Sequence, residues 1–249
     1  MSIAVRNPEV NGHCELAPGG IASGQATKSV RRVGFWSAAI AAVSTVGYAI
    51  AQPLTAPVTE WHGMVAYVAS FNPNSQLFFY FTTVLAVAFV VLMSSIHYVM
   101  PESRRFWTHL GVVFSVIYAT IVSMNYVLQL IAVGPSISSG DTEGVAFFAP
   151  ANPHGFFITA EGLGYVFMIL ALLFAAPAFY GSALELWIRW MFVATFGISA
   201  AVIPVGALFG IGLVLAGVIS TDVWAVLLTI ALILVAVFFR RKLRMRNNT

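Results

Sequence analysis

The residues best placed to do chemistry are one carboxylate and a few amides and phenols set in otherwise apolar sequence. Glu161 stands within Phe156 to Phe179, a stretch with no other Asp, Glu, Lys or Arg. An ionisable group inside a membrane span costs on the order of 2.5 to 3.5 kcal/mol at its centre, so each one asks for a functional reason. Glu161 follows Phe156 by five residues, which at the helical rise is roughly 7 Å. Asn125 and Gln129, spaced i and i+4, share a face of the preceding apolar stretch and fall at a similar depth if that helix runs the opposite way. Tyr165 lies one turn beyond Glu161 and adds a phenol, while Asn152 and His154 stand at the mouth of the same stretch. Together they offer an anionic oxygen, amides that both donate and accept, a phenol and an imidazole. We take Glu161, Asn125, Gln129, Tyr165, His154 and Asn152 as the candidate ligand-binding set.

Three readings of that set belong to different classes. The first is an outward-facing polar pocket that binds or moves a small ligand, a lipid headgroup or an ion. In the second the chain is a structural or assembly subunit, with Glu161 bonded to Asn125 or Gln129 as glue between helices. The third is a membrane enzyme acting on lipid, with Glu161 and His154 as acid and base.

Other chemistries find little support. The chain has no G-x-S-x-G, no Walker-type loop and no dinucleotide glycine fingerprint. Cys14 is the only cysteine, so one chain can build neither a disulfide nor a cysteine zinc site. Neither of the two lysines, Lys28 and Lys242, is expected inside a span, which removes a retinal Schiff base. His97 and His109 at one boundary and His62 and His154 at the other superficially suggest two haems, yet such ligands normally sit inside the spans. Glu60, His62, His154 and Glu161 are chemically able to hold a metal, but no H-E-x-x-H or similar spacing supports one. We assign no metal, and the sequence names no cofactor.

The elements that must position these groups follow from the solvent the chain is built for. Hydrophobic residues make up 59% of the 249 and charged residues only 8%, against about 25% charged in a soluble domain. Lipid is the main solvent. Backbone groups in lipid must be paired internally, which leaves helices or closed barrels. Segments such as Val84 to Met93 are apolar all round rather than alternating, so the prediction is all-α.

We expect a six-helix transmembrane bundle with spans at Gly34 to Gln52, Leu77 to Val99, His109 to Val133, Phe156 to Phe179, Trp190 to Ala216 and Val223 to Phe239. Lys and Arg stay on the cytoplasmic side of spans. Arg6, Lys28, Arg31 and Arg32 precede the first; Arg104 and Arg105 follow the second; Arg189 follows the fourth; Arg240, Arg241, Lys242, Arg244 and Arg246 end the chain. All obey one assignment, N-in and C-in. The net charge of +3 therefore reads as topology rather than as a nucleic-acid surface. The partner expected is the lipid bilayer, with a small ligand or ion and a second copy of the chain left open, and no nucleic acid.

The division along the chain is a disordered tail over residues 1–30, rich in Gly, Pro and Ser, a transmembrane domain over 31–242, and a basic tail over 243–249. The first apolar stretch is long enough to remain as a span, so no cleavable signal peptide is expected. In the first outer loop Trp61, Met64, Val65, Val68 and Phe71 recur at helical spacing, predicting a short amphipathic helix that either lies in the headgroup region or packs on the loops. Asn72-Pro73 and Asn152-Pro153 precede Phe78-Phe79 and Phe156-Phe157 in parallel fashion. Either a hairpin is duplicated or both pairs are simply helix starts. Pro204 and the Gly206 to Gly210 spacing in span five suggest a kink and a close helix crossing. Gly162 and Gly164 would let a backbone approach near Glu161.

The stretches Asn125 to Leu130, Gly140 to Gly144, and Asn152-Pro153-His154-Gly155-Phe156-Phe157-Ile158 through Glu161-Gly162-Leu163-Gly164-Tyr165 resemble a group of prokaryotic multi-pass membrane proteins without established activity. The resemblance is best over spans two to four. It implies a prokaryotic inner (plasma) membrane location and transfers no catalytic residue.

Overall fold

The computed structural model describes residues 19–55, 61–210 and 213–244. Helices dominate: α1 (Gly19–Thr55), α2 (Met64–Ser70), α3 (Leu77–Val99), α4 (Glu102–Leu128), α5 (Gly134–Ser139), α6 (Phe156–Ala175), α7 (Ala183–Leu208) and α8 (Leu213–Arg244). Six of them, α1, α3, α4, α6, α7 and α8, are long and apolar enough to cross a bilayer. The chain is a multi-pass membrane protein of the helical-bundle class.

The spans are apolar all round because both of their environments are. On α3, Phe78, Phe79, Thr82, Leu85, Ala86, Phe89, Leu92, Met93 and Ile96 point into the core at helical spacing. Tyr80, Val84, Val87 and Val91 cover the opposite, exposed face. Lipid, not water, suits that second face. Hydroxyls inside spans turn back on their own helix: Thr45 to Ala41, Thr83 to Phe79, Ser95 to Val91 and Thr195 to Met191. Each spares the bilayer an unsatisfied donor.

The spans stand side by side in chain order. α1 packs on α3, α3 on α4, α4 on α6, α6 on α7 and α7 on α8, and α8 closes back on α1. Gly34 makes the closure possible, since a Cβ there would run into the Phe239 ring. The same seam is tied by Arg31 Nη1, which donates to the Lys242 carbonyl at 2.8 Å. Described Lys and Arg residues gather at this end, here called the basic end; the opposite, far end carries Asp141, Glu143 and Asp222.

Three expectations are corrected. Composition predicts a disordered tail over 1–30, but helix α1 starts at Gly19. Ala22, Gln25, Ala26 and Lys28 favour helix and continue directly into the span. Residues 1–18 and 245–249 lie outside those described.

Span three does not stop at Val133. A helical path runs from Glu102 to Ser139, passing through a π turn at Gln129–Val133. Pro135 lacks an N–H and its ring would crowd the carbonyl four residues back, so the ladder widens before it. Gly140, in the left-handed region at φ 81°, ends the run.

Spans at Trp190 to Ala216 and Val223 to Phe239 leave the last turn to residues 217–222, ending in the polar Ser220 to Asp222, and the structure has it earlier. α7 ends at Leu208 and α8 is under way at Leu213, with Gly210 in the left-handed region at φ 69° between them. Gly210 therefore belongs to a turn rather than to a helix crossing, and a Cβ there would meet nothing within 4 Å. Pro204 does lie inside α7. Gly212 falls outside the described residues.

At the far end α2 forms where the spacing placed it. Met64, Tyr67, Val68 and Phe71 pack against Val133, Ile137 and Val145, a small satellite core roofing the bundle. Val65 faces away and is exposed. Tyr67, outside the spans, is enclosed well enough that burial pushes its phenol up to about 12.

The two Asn-Pro pairs share one device. Asn72 Oδ1 accepts from Asn74 N at 2.9 Å, and Asn152 Oδ1 accepts from His154 N at 3.0 Å. Each is a side-chain turn that sets the chain into the following helix, a local role that needs no duplication.

Candidate functional site

Glu161 sits on the inward side of α6, where α4 supplies its partner. Tyr126 OH donates to Glu161 Oε1 at 3.1 Å and lies 3.4 Å from the Tyr165 hydroxyl. Tyr48 of α1 lies close to Tyr165 on the inner side of the cluster. Trp224 of α8 packs edge-on to Tyr165, with centroids 4.8 Å apart, and to Tyr48 at 6.1 Å. A carboxylate at the flank of the bundle thus begins a row of phenols that runs inward through α4 and α6 to α1. Among the described residues Glu161 has a neutral phenol as its partner and no cationic one.

The polar groups expected around Glu161 are distributed differently. Asn125 is fully buried and its Nδ2 donates to the Phe157 carbonyl at 3.1 Å, joining α4 to the first turn of α6. Gln129 Nε2 donates to the Phe148 carbonyl at 2.9 Å. The Gln129 carbonyl accepts from Gln76 Nε2 at 2.8 Å. Gln76 reaches it only because residue 134 is glycine; a Cβ there would collide with the Gln76 amide. Asn152 Nδ2 donates to the Ala146 carbonyl at 2.9 Å and organises the loop above α6. The His154 side chain is exposed, and no contact joins it to Glu161 among the described residues. Gln129 and Asn152 thus serve backbone, Asn125 does so with one end of its amide, and Glu161 and Tyr165 belong to the phenol row.

The two glycines near Glu161 also part company. A Cβ on Gly164 would lie 2.5 Å from Val122 Cγ1, so this position lets α4 and α6 touch. At Gly162 a Cβ would meet nothing within 4 Å.

Sequence spacing did not single out Tyr126, Tyr48 or Trp224. A signal for them existed. Tyrosines and tryptophans favour the ends of spans, where the polar tip reaches the interface. Tyr48, Tyr118, Tyr126 and Tyr165 are mid-span, and a phenol in lipid needs a partner.

Removing that partner gives a direct check. Tyr126→Phe is expected to destabilise the bundle by about 1–3 kcal/mol, the range for leaving a buried polar group unpaired. Tyr80→Phe, on an exposed face, should leave the unfolding midpoint in mixed detergent and dodecyl sulfate unchanged. Equal midpoints for both variants would show that the Tyr126 to Glu161 bond carries no weight.

Six apolar spans and an in-span carboxylate define a helical integral membrane protein. No family model matches the chain, and no curated protein or solved structure is significantly similar to it.

Proposed function

We propose that the protein is a prokaryotic plasma-membrane binding protein or carrier that takes up a small polar ligand at Glu161, reached from the far, outward end of the bundle. The observation that carries this reading is a carboxylate within a span whose partner is a phenol rather than a base. Helix gluing does not need it. Asn125 already fastens α4 to α6 through a backbone carbonyl, and an amide at 161 would hold Tyr126 without the desolvation cost of a carboxylate. A carboxylate held there without a counter-charge is a group awaiting a ligand.

The test uses the single native thiol to advantage. In a Cys14→Ser background, Glu161→Cys in sealed vesicles is treated with a membrane-impermeant, charged methanethiosulfonate from either side. Leu163→Cys, on an exposed apolar position, is the lipid-facing control. Thiolates react only where water reaches them, so labelling at 161 from the far side should outpace the control by about tenfold or more. Equal, negligible labelling at both positions would sink the binding reading and leave Glu161 as a structural contact.

A further inference from the structure

Resting on the reading of Glu161 as a binding group, we infer that the ligand is a monovalent cation and that Asn125 supplies a second oxygen to it.

The Asn125 amide is fully buried. Its orientation is fixed, because Nδ2 donates to the Phe157 carbonyl and a carbonyl can only accept. Oδ1 is then left buried with no hydrogen-bond partner. Buried amide oxygens are rarely left so, and one that is calls for a donor or an ion. Both helices link it to the neighbourhood of Glu161. Phe157 lies one turn before Glu161 on α6, and Asn125 is the chain neighbour of Tyr126, whose hydroxyl reaches Glu161 Oε1.

The surroundings lack positive charge. Tyr118 and Tyr126 come from α4, Tyr165 from α6 and Tyr48 from α1. Asp222, on α8, is exposed. No Lys or Arg side chain contacts the cluster among the described residues. Trp224 Nε1, also buried without a partner, is a donor and does not compete for a cation. What converges is a surplus of oxygens, the ligand type that hard cations select. A single carboxylate neutralises a single charge. A divalent ion would keep one uncompensated in the span, and a phosphate headgroup would meet an anion.

The experiment follows thermal unfolding of the full-length protein in lipid nanodiscs, with lithium, sodium, potassium or ammonium chloride balanced by choline chloride to constant ionic strength. At least one of these small ions should raise the midpoint saturably in the wild type, and Glu161→Gln should abolish the rise. Asn125→Leu should raise the half-saturating concentration by about tenfold or more, the scale on which one partner of a metal site acts. Asn125→Asp, which keeps the oxygen and the size, should transfer the response to calcium, and it serves if the leucine variant does not fold.

The outcomes separate the two proposals. No saturable rise with any of these ions, while Glu161→Cys is labelled from the far side, overturns the cation and leaves the binding reading standing. A rise that needs Glu161 but is indifferent to both Asn125 variants overturns the role of Asn125 alone. Neither labelling nor a rise removes both.

Discussion

Replacing Gly164 by leucine is expected to cost the bundle several kcal/mol, because α4 and α6 touch at that point with no room between them. A Cβ at 164 would lie 2.5 Å from Val122 Cγ1 and 3.7 Å from Ile121 Cγ2. Val122 is itself fully buried and has nowhere to retreat. Overpacking a filled core costs about 1–3 kcal/mol where neighbours can shift, and a whole isobutyl group between two helix backbones belongs beyond the upper end. Gly162→Leu, two residues earlier on the same helix, makes no such contact and should leave the midpoint unchanged or raised, since leucine favours helix over glycine by roughly 1 kcal/mol. Unfolding in mixed detergent and dodecyl sulfate reads both. Matching midpoints would mean that α4 and α6 do not meet at Gly164.

The second large effect is expected at the basic end, where Arg104 holds the connection between α6 and α7. Its Nη1 donates to the carbonyls of Ala178 and Tyr180 at 3.0 and 3.1 Å. The guanidinium lies 3.4 Å from the centre of the Tyr180 ring, and Glu185 on α7 is 3.6 Å away. Those carbonyls lie past the end of α6 and have no helical donor. Arg104→Ala should therefore destabilise by about 2–4 kcal/mol, combining a lost charge-assisted bond with lost stacking. The Glu185 pair, at 3.6 Å, is beyond hydrogen-bond distance and adds less than the carbonyl bonds. Arg104→Lys should recover less than half of the loss, since a compact ammonium cannot lie flat on the ring while bonding both carbonyls. Full recovery by lysine would mean that charge alone holds the connection.

Much of the bundle was legible because bilayer physics is strict. α3 spans Leu77–Val99 and α6 begins at Phe156, where hydropathy and the two Asn-Pro turns agree. Where local polarity and helix continuity compete, the sequence misleads. Ser220, Thr221 and Asp222 look like a turn, yet they ride on α8, where an outward-facing Asp222 costs little. Residues 134–139 look like loop because of Gly134 and Pro135, yet one widened turn carries the helix through.

The site was harder to read for a geometric reason. Glu161 is conspicuous from its type alone. Its partner is not, because Asn125 and Tyr126 are neighbours about 100° apart on one helix, and spacing does not reveal how α4 is rotated. Asn125 looked like the natural match for a carboxylate. Tyr126 makes the bond, while the Asn125 Nδ2 goes to the Phe157 carbonyl one turn earlier on α6.

The closure of α8 on α1 carries a consequence for assembly. Every other large contact joins spans that are consecutive in the chain, so each span entering the bilayer finds its partner already there. α1 alone enters first and completes its packing last. Until α8 arrives, the notch at Gly34 that receives Phe239 and the Arg31 guanidinium that holds the Lys242 carbonyl have nothing to hold. Among the six spans described, α1 therefore waits with one flank against lipid until α8 has been made, and the ring of spans closes only then.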